Sequence, residues 1–360
     1  METIIYTIDK DHMDMEKINE AGAILAKGGL VAFPTETVYG LGADAMDGRA
    51  SQKIYAAKGR PSDNPLIVHI CELEDMDRVA CHIPESAYKL ARAFWPGPLT
   101  MILSKGENVP LSTTGGLDTV AVRMPSHPIA RAVIKASGTY IAAPSANTSG
   151  RPSPTMAEHV IEDMDGKIDM ILDGGKVGIG IESTIVDLTG KVPMILRPGY
   201  ITYDMLTGVL GEVCVDKAIL SENADKNFRP KAPGMKYKHY APKGDLTIVE
   251  GTSEHVAERI NALCTQAKAQ NKSVAVIAAR ESAGKYHCEH VFSIGSRRNE
   301  ESIAANLFAV LREMDELHVD VIYSESYYDD GLGQAVMNRL LKAAGHHVIN
   351  ADDETFVGGE

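Results

Sequence analysis

No stretch of the form Gly-x-x-x-x-Gly-Lys-Ser/Thr occurs in the 360 residues, so any nucleotide this chain uses is held without a P-loop. Cysteine is scarce: Cys71, Cys81, Cys214, Cys264 and Cys288 are odd in number and include no close-set pair. That disfavours a disulfide framework and a four-cysteine zinc site, and it fits the cytoplasm. Long hydrophobic runs are missing too. No segment reaches the ~18 uninterrupted apolar residues of a membrane span, and Met1 to Lys10 lacks a basic start followed by an apolar run. A soluble, unexported protein without membrane contact is expected. Positive charge is in deficit, with 36 Lys and Arg against 49 Asp and Glu and a formal net charge of −13. Such a balance argues against broad clamping of nucleic acid, which needs a positive surface to release counterions, and leaves only a local basic patch open. Neither an internal repeat nor a low-complexity tract occurs.

What is present is a 44% hydrophobic composition over a length that suggests two domains. Ile18, Ala21 and Leu25 recur at helical spacing within 14–27 and stop at Gly28-Gly29, a helix-ending signal. Leu30 to Phe33 then reads as a strand. Strand-like runs follow at Leu66 to Ile70, Leu99 to Leu103, Thr119 to Met124, Tyr140 to Ala143, Met170 to Leu172, Thr184 to Leu188 and Met194 to Leu196. Helical patterns at 49–58, 84–94, 127–136 and 155–163 interleave with them, which predicts an α/β domain over 1–212. Between 213 and 243 the pattern fades into a segment with Pro230, Pro233, Gly234 and Pro242, where 7 Lys and Arg face 3 Asp and Glu. Its Lys236-Tyr237-Lys238-His239-Tyr240 suits a phosphate or a base, and equally a solvated linker. From 245 the charge reverses, 10 Lys and Arg against 19 Asp and Glu, and a second alternation begins. Strands are expected at Leu246 to Val249, Val274 to Ala278, Val291 to Ile294, Val319 to Tyr323 and His347 to Ile349, with helices at 253–269, 300–317 and 333–344. This predicts a small doubly wound α/β domain over 244–360.

Four segments of the first domain place polar residues where the periodic pattern breaks, the usual place for ligand contact in α/β sheets. Pro34-Thr35-Glu36-Thr37-Val38-Tyr39-Gly40-Leu41-Gly42 follows a strand with hydroxyls and glycines, and reads either as a ligand loop or as a structural turn. Lys58-Gly59-Arg60-Pro61-Ser62-Asp63-Asn64-Pro65 sets a point charge and a donor fork at a helix end, suited to a triphosphate or simply to the helix dipole. Pro144 to Ser153, with Ser145, Asn147 and Arg151, is a hydroxyl-rich loop able to wrap phosphate. The fourth set is scattered: Thr119 and Arg123 on one strand, Glu182-Ser183-Thr184 before another, and Arg197-Pro198-Gly199.

In this order and spacing these segments, with Leu196-Arg197-Pro198-Gly199 and Pro233 to Pro242, resemble the threonylcarbamoyladenylate synthase family in its long two-domain form. The resemblance covers nearly the whole chain; in the last quarter Val336-Met337-Asn338-Arg339 is its clearest point. It implies a twisted YrdC-like α/β catalytic domain with an open cavity, a linker over 213–243 that covers it, and a smaller Rossmann-like doubly wound domain. It further implies that L-threonine, bicarbonate and ATP give threonylcarbamoyl-AMP and pyrophosphate, with magnesium accompanying ATP and no metal site of protein side chains. A separate transferase then modifies tRNA to threonylcarbamoyladenosine. Carried over by motif position, Thr37, His69, Arg123 and Ser183 surround threonine, Arg123 pairing its carboxylate and Thr35 nearby. Lys58, Arg60, Asn64, Thr119, Ser145, Asn147, Ser153 and Arg197 address the nucleotide, Tyr240 closes over it, and Lys58 and Arg60 stabilise charge developing on the phosphates. His69 could take a proton or merely orient the substrate.

Other readings remain. His287-Cys288-Glu289-His290 is metal-like in composition, but adjacent residues on a strand point to alternate faces and rarely close one site. Gly331-Leu332-Gly333-Gln334 lacks the third glycine of a dinucleotide fingerprint and reads as a helix-entry turn. A rival from a different class is an RNA-binding module using Lys58, Arg60 and the basic linker without catalysis, in which direct tRNA contact would be salt-sensitive. A carbamoyl transferase of the hydrogenase-maturation type would need acylphosphatase and zinc-finger segments, which this chain does not carry.

Overall fold

The computed structural model describes residues 2–216, 219, 232, 239–328 and 330–353. Chain contacts divide them into two units, Met1–Tyr237 and Lys238–Glu360. Most of the expected linker, including Lys236 to Lys238, lies outside the described residues.

The first unit is built on a mixed 12-stranded sheet. Its order runs Ile4–Thr7, Met170–Asp173, Val31–Pro34, Tyr39–Asp44, Ile141–Ala142, Ile67–His69, Thr119–Arg123, Leu99–Lys105, Thr184–Asp187, Met194–Arg197, Cys214–Val215, with Ala80–Cys81 paired to Leu99–Lys105. Side chains alternate between the two faces. Val68, Val120, Val122, Met101, Leu103 and Val186 point into the main core, while Ile67, Ala121, Ile102 and Ile185 form a separate apolar cluster with Leu196. Ala232, a described residue of the expected linker, is seated in that second cluster and fully buried.

Helix starts follow local chemistry. Asp14 caps Met15–Ala26 by accepting from the amides of Glu16 and Lys17, and Asp47 caps Gly48–Lys58 by accepting from that of Arg49. The second helix ends on Gly59 in the left-handed conformation, φ 62°, which a residue with a Cβ adopts at a cost. That stop leaves Lys58 on the last turn and turns the chain before Arg60.

The structure corrects one reading outright. The segment Pro34 to Gly42 is no simple loop: Tyr39–Asp44 is a strand antiparallel to Val31–Pro34, closing a hairpin over Thr35 to Val38. Its glycines hide the strand in the sequence because they serve close packing. A Cβ on Gly42 would stand 2.6 Å from the Phe33 ring and 2.9 Å from Ile141. The edge strand Ile4–Thr7 and the helix Tyr203–Leu210 are further elements that the periodicity left unread.

The second unit is a five-stranded, all-parallel sheet in the order His290–Gly295, Val274–Ala279, Val321–Glu325, Asp245–Glu250, Val348–Asn350. The chain starts beside the centre, winds to one edge and returns to the other, so the sheet is doubly wound. Its fourth strand is inserted between the first and second, an order that differs from the 3-2-1-4-5 arrangement of dinucleotide-binding sheets. Helix Ser253–Ala269 shares a core with Val274, Val276 and Ala278, while helices Glu300–Glu316 and Gly331–Ala343 pack on each other. Gly331, φ 51°, opens the last helix, as a helix-entry turn. The strand expected at Val319 to Tyr323 runs two residues later, which brings Glu325 to the end of the sheet.

Candidate active site

Strand register assembles the floor of the site. His69 pairs with Arg123, Arg123 with Thr100, and Thr100 with Ile185, so four side chains stand in one row across four strands. The next row along the same face is Ile67, Ala121 and Ile102. Thr119, half-buried, lies on this face at the far end of the Arg123 strand.

Arg123 is 4% exposed, a cation that must find partners inside the protein. Its Nη2 donates to Glu36 Oε1 at 2.7 Å and to Thr37 Oγ1 at 3.0 Å, while its Nε is buried without a hydrogen-bond partner. Thr35 orders the turn above: its Oγ1 lies 2.8 Å from Thr37 Oγ1, donates to Val38 O at 2.6 Å, and accepts from the amides of Thr37 and Val38. On the other side Ser183 Oγ and Thr100 Oγ1 share a 2.7 Å hydrogen bond. Arg197 donates from Nη2 to Ser183 Oγ at 3.2 Å and from Nε to Ser183 O at 3.0 Å. Two hydrogen-bonded sets, Thr35, Thr37 and Arg123 on one side and Thr100, Ser183 and Arg197 on the other, thus meet where Arg123 and Thr100 are paired in strand register.

His69 is buried beside this cation. Burial first, and the Arg123 charge second, lower its pKa to about 3, so the ring is neutral at physiological pH. Its Nδ1 stands 3.1 Å from Ile67 O, which accepts the ring N–H and leaves Nε2 as an acceptor. A base this weak takes a proton from an ammonium poorly, and the ring is better suited to orienting a ligand.

A second cluster forms where helix Gly48–Lys58 meets the loop after Ile141–Ala142. Lys58, 2% exposed, donates from Nζ to Ser145 O and Asn147 O, both at 2.5 Å, and approaches Asn147 Oδ1 at 3.4 Å. The loop returns a bond from Ser149 N to Lys58 O at 2.9 Å. Ser145 Oγ donates to Asn147 Oδ1, and Asn147 Nδ2 to Thr148 O and Arg151 O. Arg151 pairs with Asp163 and Glu162, which ties the loop to helix Ala157–Met164. Lys58 therefore shapes the loop it faces. Arg60 donates to Asn64 O and Pro65 O, and the buried Asn64 Oδ1 has no partner. Ser153 Oγ donates to Glu182 Oε1 at 2.5 Å, joining this loop to the Ser183 segment.

Comparison with known proteins rests on nearly the whole chain. A threonylcarbamoyl-AMP synthase of Pyrococcus abyssi is 50% identical over 347 residues, covering 96% of this chain and 99% of that protein. The chain belongs to the threonylcarbamoyl-AMP synthase family. A synthase of Bacillus subtilis is 49% identical over 334 residues, covering 92% of this chain and 94% of its own length. The family model described as "Telomere recombination" matches residues 23–199, and that described as "Threonylcarbamoyl-AMP synthase, C-terminal domain" matches 201–345. A crystal structure of P. abyssi Sua5 complexed with L-threonine superposes with a TM-score of 0.92 at 49% identity, covering 97% of this chain and 99% of that one.

Within this synthase-family chain, the residues expected around threonine come together in the first unit, as do those expected at the nucleotide, apart from Tyr240. That residue lies in the second unit, with φ 65° and its ring 5.0 Å from Phe308, so the structure draws it into that unit's own core. Two site residues escaped assignment in the sequence. Glu36 lies inside the first motif, but its partner Arg123 is 87 positions away. Thr100 is a polar residue in an apolar strand, a signal that the alternation contains and that marks the face of Arg123.

Proposed function

We propose that this chain condenses L-threonine, bicarbonate and ATP into threonylcarbamoyl-AMP and pyrophosphate, supplying a separate transferase that modifies tRNA. It is then a nucleotidyltransferase of the cytoplasm. The observation that carries the reading is Arg123, a buried guanidinium bonded to a carboxylate on a hydroxyl-lined floor beside a neutral histidine. A threonine carboxylate takes the place of Glu36 on Arg123, with Thr35, Thr37 and Ser183 around the rest of the amino acid and His69 orienting it. The threonine amine, once deprotonated, attacks CO2 derived from bicarbonate and gives a carbamate. The carbamate oxygen attacks the α-phosphorus of ATP, and pyrophosphate leaves with the electrons of the broken P–O bond. No covalent nucleophile is needed.

Lys58 holds Ser145 and Asn147 where they address the nucleotide, and its charge, with those of Arg60 and Arg197, favours the phosphates. Asn64, Thr119, Ser153 and Tyr240 complete the nucleotide contacts. Among the described residues no group of three or more His, Cys, Asp or Glu side chains could hold a metal ion. Magnesium would enter with ATP, held by its phosphates.

The binding-module reading is the weaker one. Of the cations it would use, Lys58 is 2% exposed and cannot form part of the open positive surface that a phosphate backbone needs, while most of the basic linker lies outside the described residues. Among the described residues no helix is long and apolar enough to cross a membrane. The deciding experiment measures pyrophosphate release from magnesium-ATP and bicarbonate with L-threonine, with L-serine and with no amino acid. Release that requires threonine supports the reading, and release indifferent to the amino acid overturns it.

A further inference from the structure

The second unit carries polar groups that this reaction does not use. Beyond the carboxyl ends of three adjacent strands, Val274–Ala279, Val321–Glu325 and Asp245–Glu250, lies a cavity of about 290 Å³ lined by Gly251, Ser282, Arg297, Glu325, Ser326 and Tyr327. Ligands of open parallel sheets bind at such strand ends. The chemistry of the lining fits the position. Glu325 is buried and its carboxylate is saturated: Oε1 accepts from Tyr286 OH at 2.5 Å, and Oε2 from Ala279 N at 3.2 Å and Arg297 Nη2 at 2.8 Å. The same Nη2 donates to Ser326 O at 2.8 Å. Both of its hydrogens are thereby used, and among the described residues the N–H groups of Arg297 Nε and Nη1 have no hydrogen-bond acceptor.

Tyr327 stands under the Arg297 guanidinium, 5.1 Å from ring centroid to charge, and is 8% exposed. Its hydroxyl is buried away from the cavity, so the residue contributes its ring. Nearby acids are already engaged: Glu281 accepts from Ser296 Oγ and Arg297 N, and Asp352 holds Thr252 and His255. The cavity thus presents surplus donors against spent acceptors, and a ligand that matches it must bring acceptors.

We propose that the second unit binds a compact anionic metabolite, between an amino acid and a mononucleotide in size, whose carboxylate or phosphate group is received by Arg297, its guanidinium backed by the Tyr327 ring. The unused guanidinium donors gain the partners that the described residues do not supply. The site is separate from the Arg123 network and does not depend on what that network catalyses.

The test titrates the full chain with inorganic phosphate and with succinate, following binding by calorimetry, in wild type, Arg297→Gln and Arg297→Lys. Arg297→Lys keeps the charge and loses the donor fork, so it remains informative if Arg297→Gln folds poorly. Loss of affinity by about tenfold or more in Arg297→Gln, and by less in Arg297→Lys, with threonine-dependent pyrophosphate release unchanged, supports the proposal. Weakening for phosphate alone assigns a phosphate ester; weakening for succinate alone assigns a carboxylate. Isotherms identical in all three proteins, or no binding of either probe at millimolar concentration, would overturn it.

Discussion

The two units solve the problem of placing polar groups in opposite ways. In the first, the strands of a mixed sheet set His69, Arg123 and Thr100 side by side on one face at its centre. The second is all parallel, with helical and apolar packing along its strands, and its convergent polar residues gather instead at the strand ends around Glu325 and Arg297. Parallel connections bury both faces of a sheet and leave only its edges and ends for chemistry. Sheet type therefore announces where a site can be before any residue is inspected.

The comparison breaks most visibly at the two arginines. Arg123→Ala should lower kcat/KM for threonine by about 10²- to 10³-fold, the cost of deleting a buried charged partner, while Arg297→Gln leaves pyrophosphate release intact. Steady-state kinetics on both variants checks this, and equal losses would erase the division of labour. Lys58→Ala should lower the rate by about 10- to 100-fold and weaken ATP binding, because three acceptors of the Ser145 and Asn147 loop lose their common donor. Full turnover with unchanged ATP affinity would remove Lys58 from the site.

A third change sharpens the picture through stability. Glu36→Gln leaves Arg123 buried with no anionic partner and should cost about 2–4 kcal/mol in denaturant unfolding. L-threonine should restore more stability to this variant than to wild type; an equal shift in both would mean that the amino acid does not meet Arg123. The smallest effect is a pH dependence. His69 has a folded pKa of about 3 against an ordinary 6.5, so it favours the native state above pH 6.5. As pH falls from 6.5 toward 3 the unfolded chain gains a proton that the folded one refuses, and stability declines by at most about 1.4 kcal/mol per pH unit. His69→Gln should flatten that part of the curve.

Much of this was legible in the sequence, for reasons that differ by residue. Gly59 announced the helix end and with it the placing of Lys58, since local capping chemistry is written in neighbouring residues. The inward course of Lys58 was not legible, because Ser145 and Asn147 meet it across 87 and 89 positions. The strands of the second unit followed from apolar runs, whereas their interleaved order depends on crossover packing that no periodicity encodes. Tyr39–Asp44 was read as loop because Gly40 and Gly42 mask a strand whose backbone must pass close to Phe33. Tyr240 was assigned from its motif alone; its contact with Phe308, 68 positions away, had no signal in the sequence.

The contact between Glu36 and Arg123 also says what kind of event substrate capture is. Because the guanidinium already holds a carboxylate of its own, the proposed capture of threonine there would be a metathesis, one anion exchanged for another, with the number of ion pairs conserved. Counterions would be neither taken up nor released at that position, and threonine affinity should respond only weakly to ionic strength.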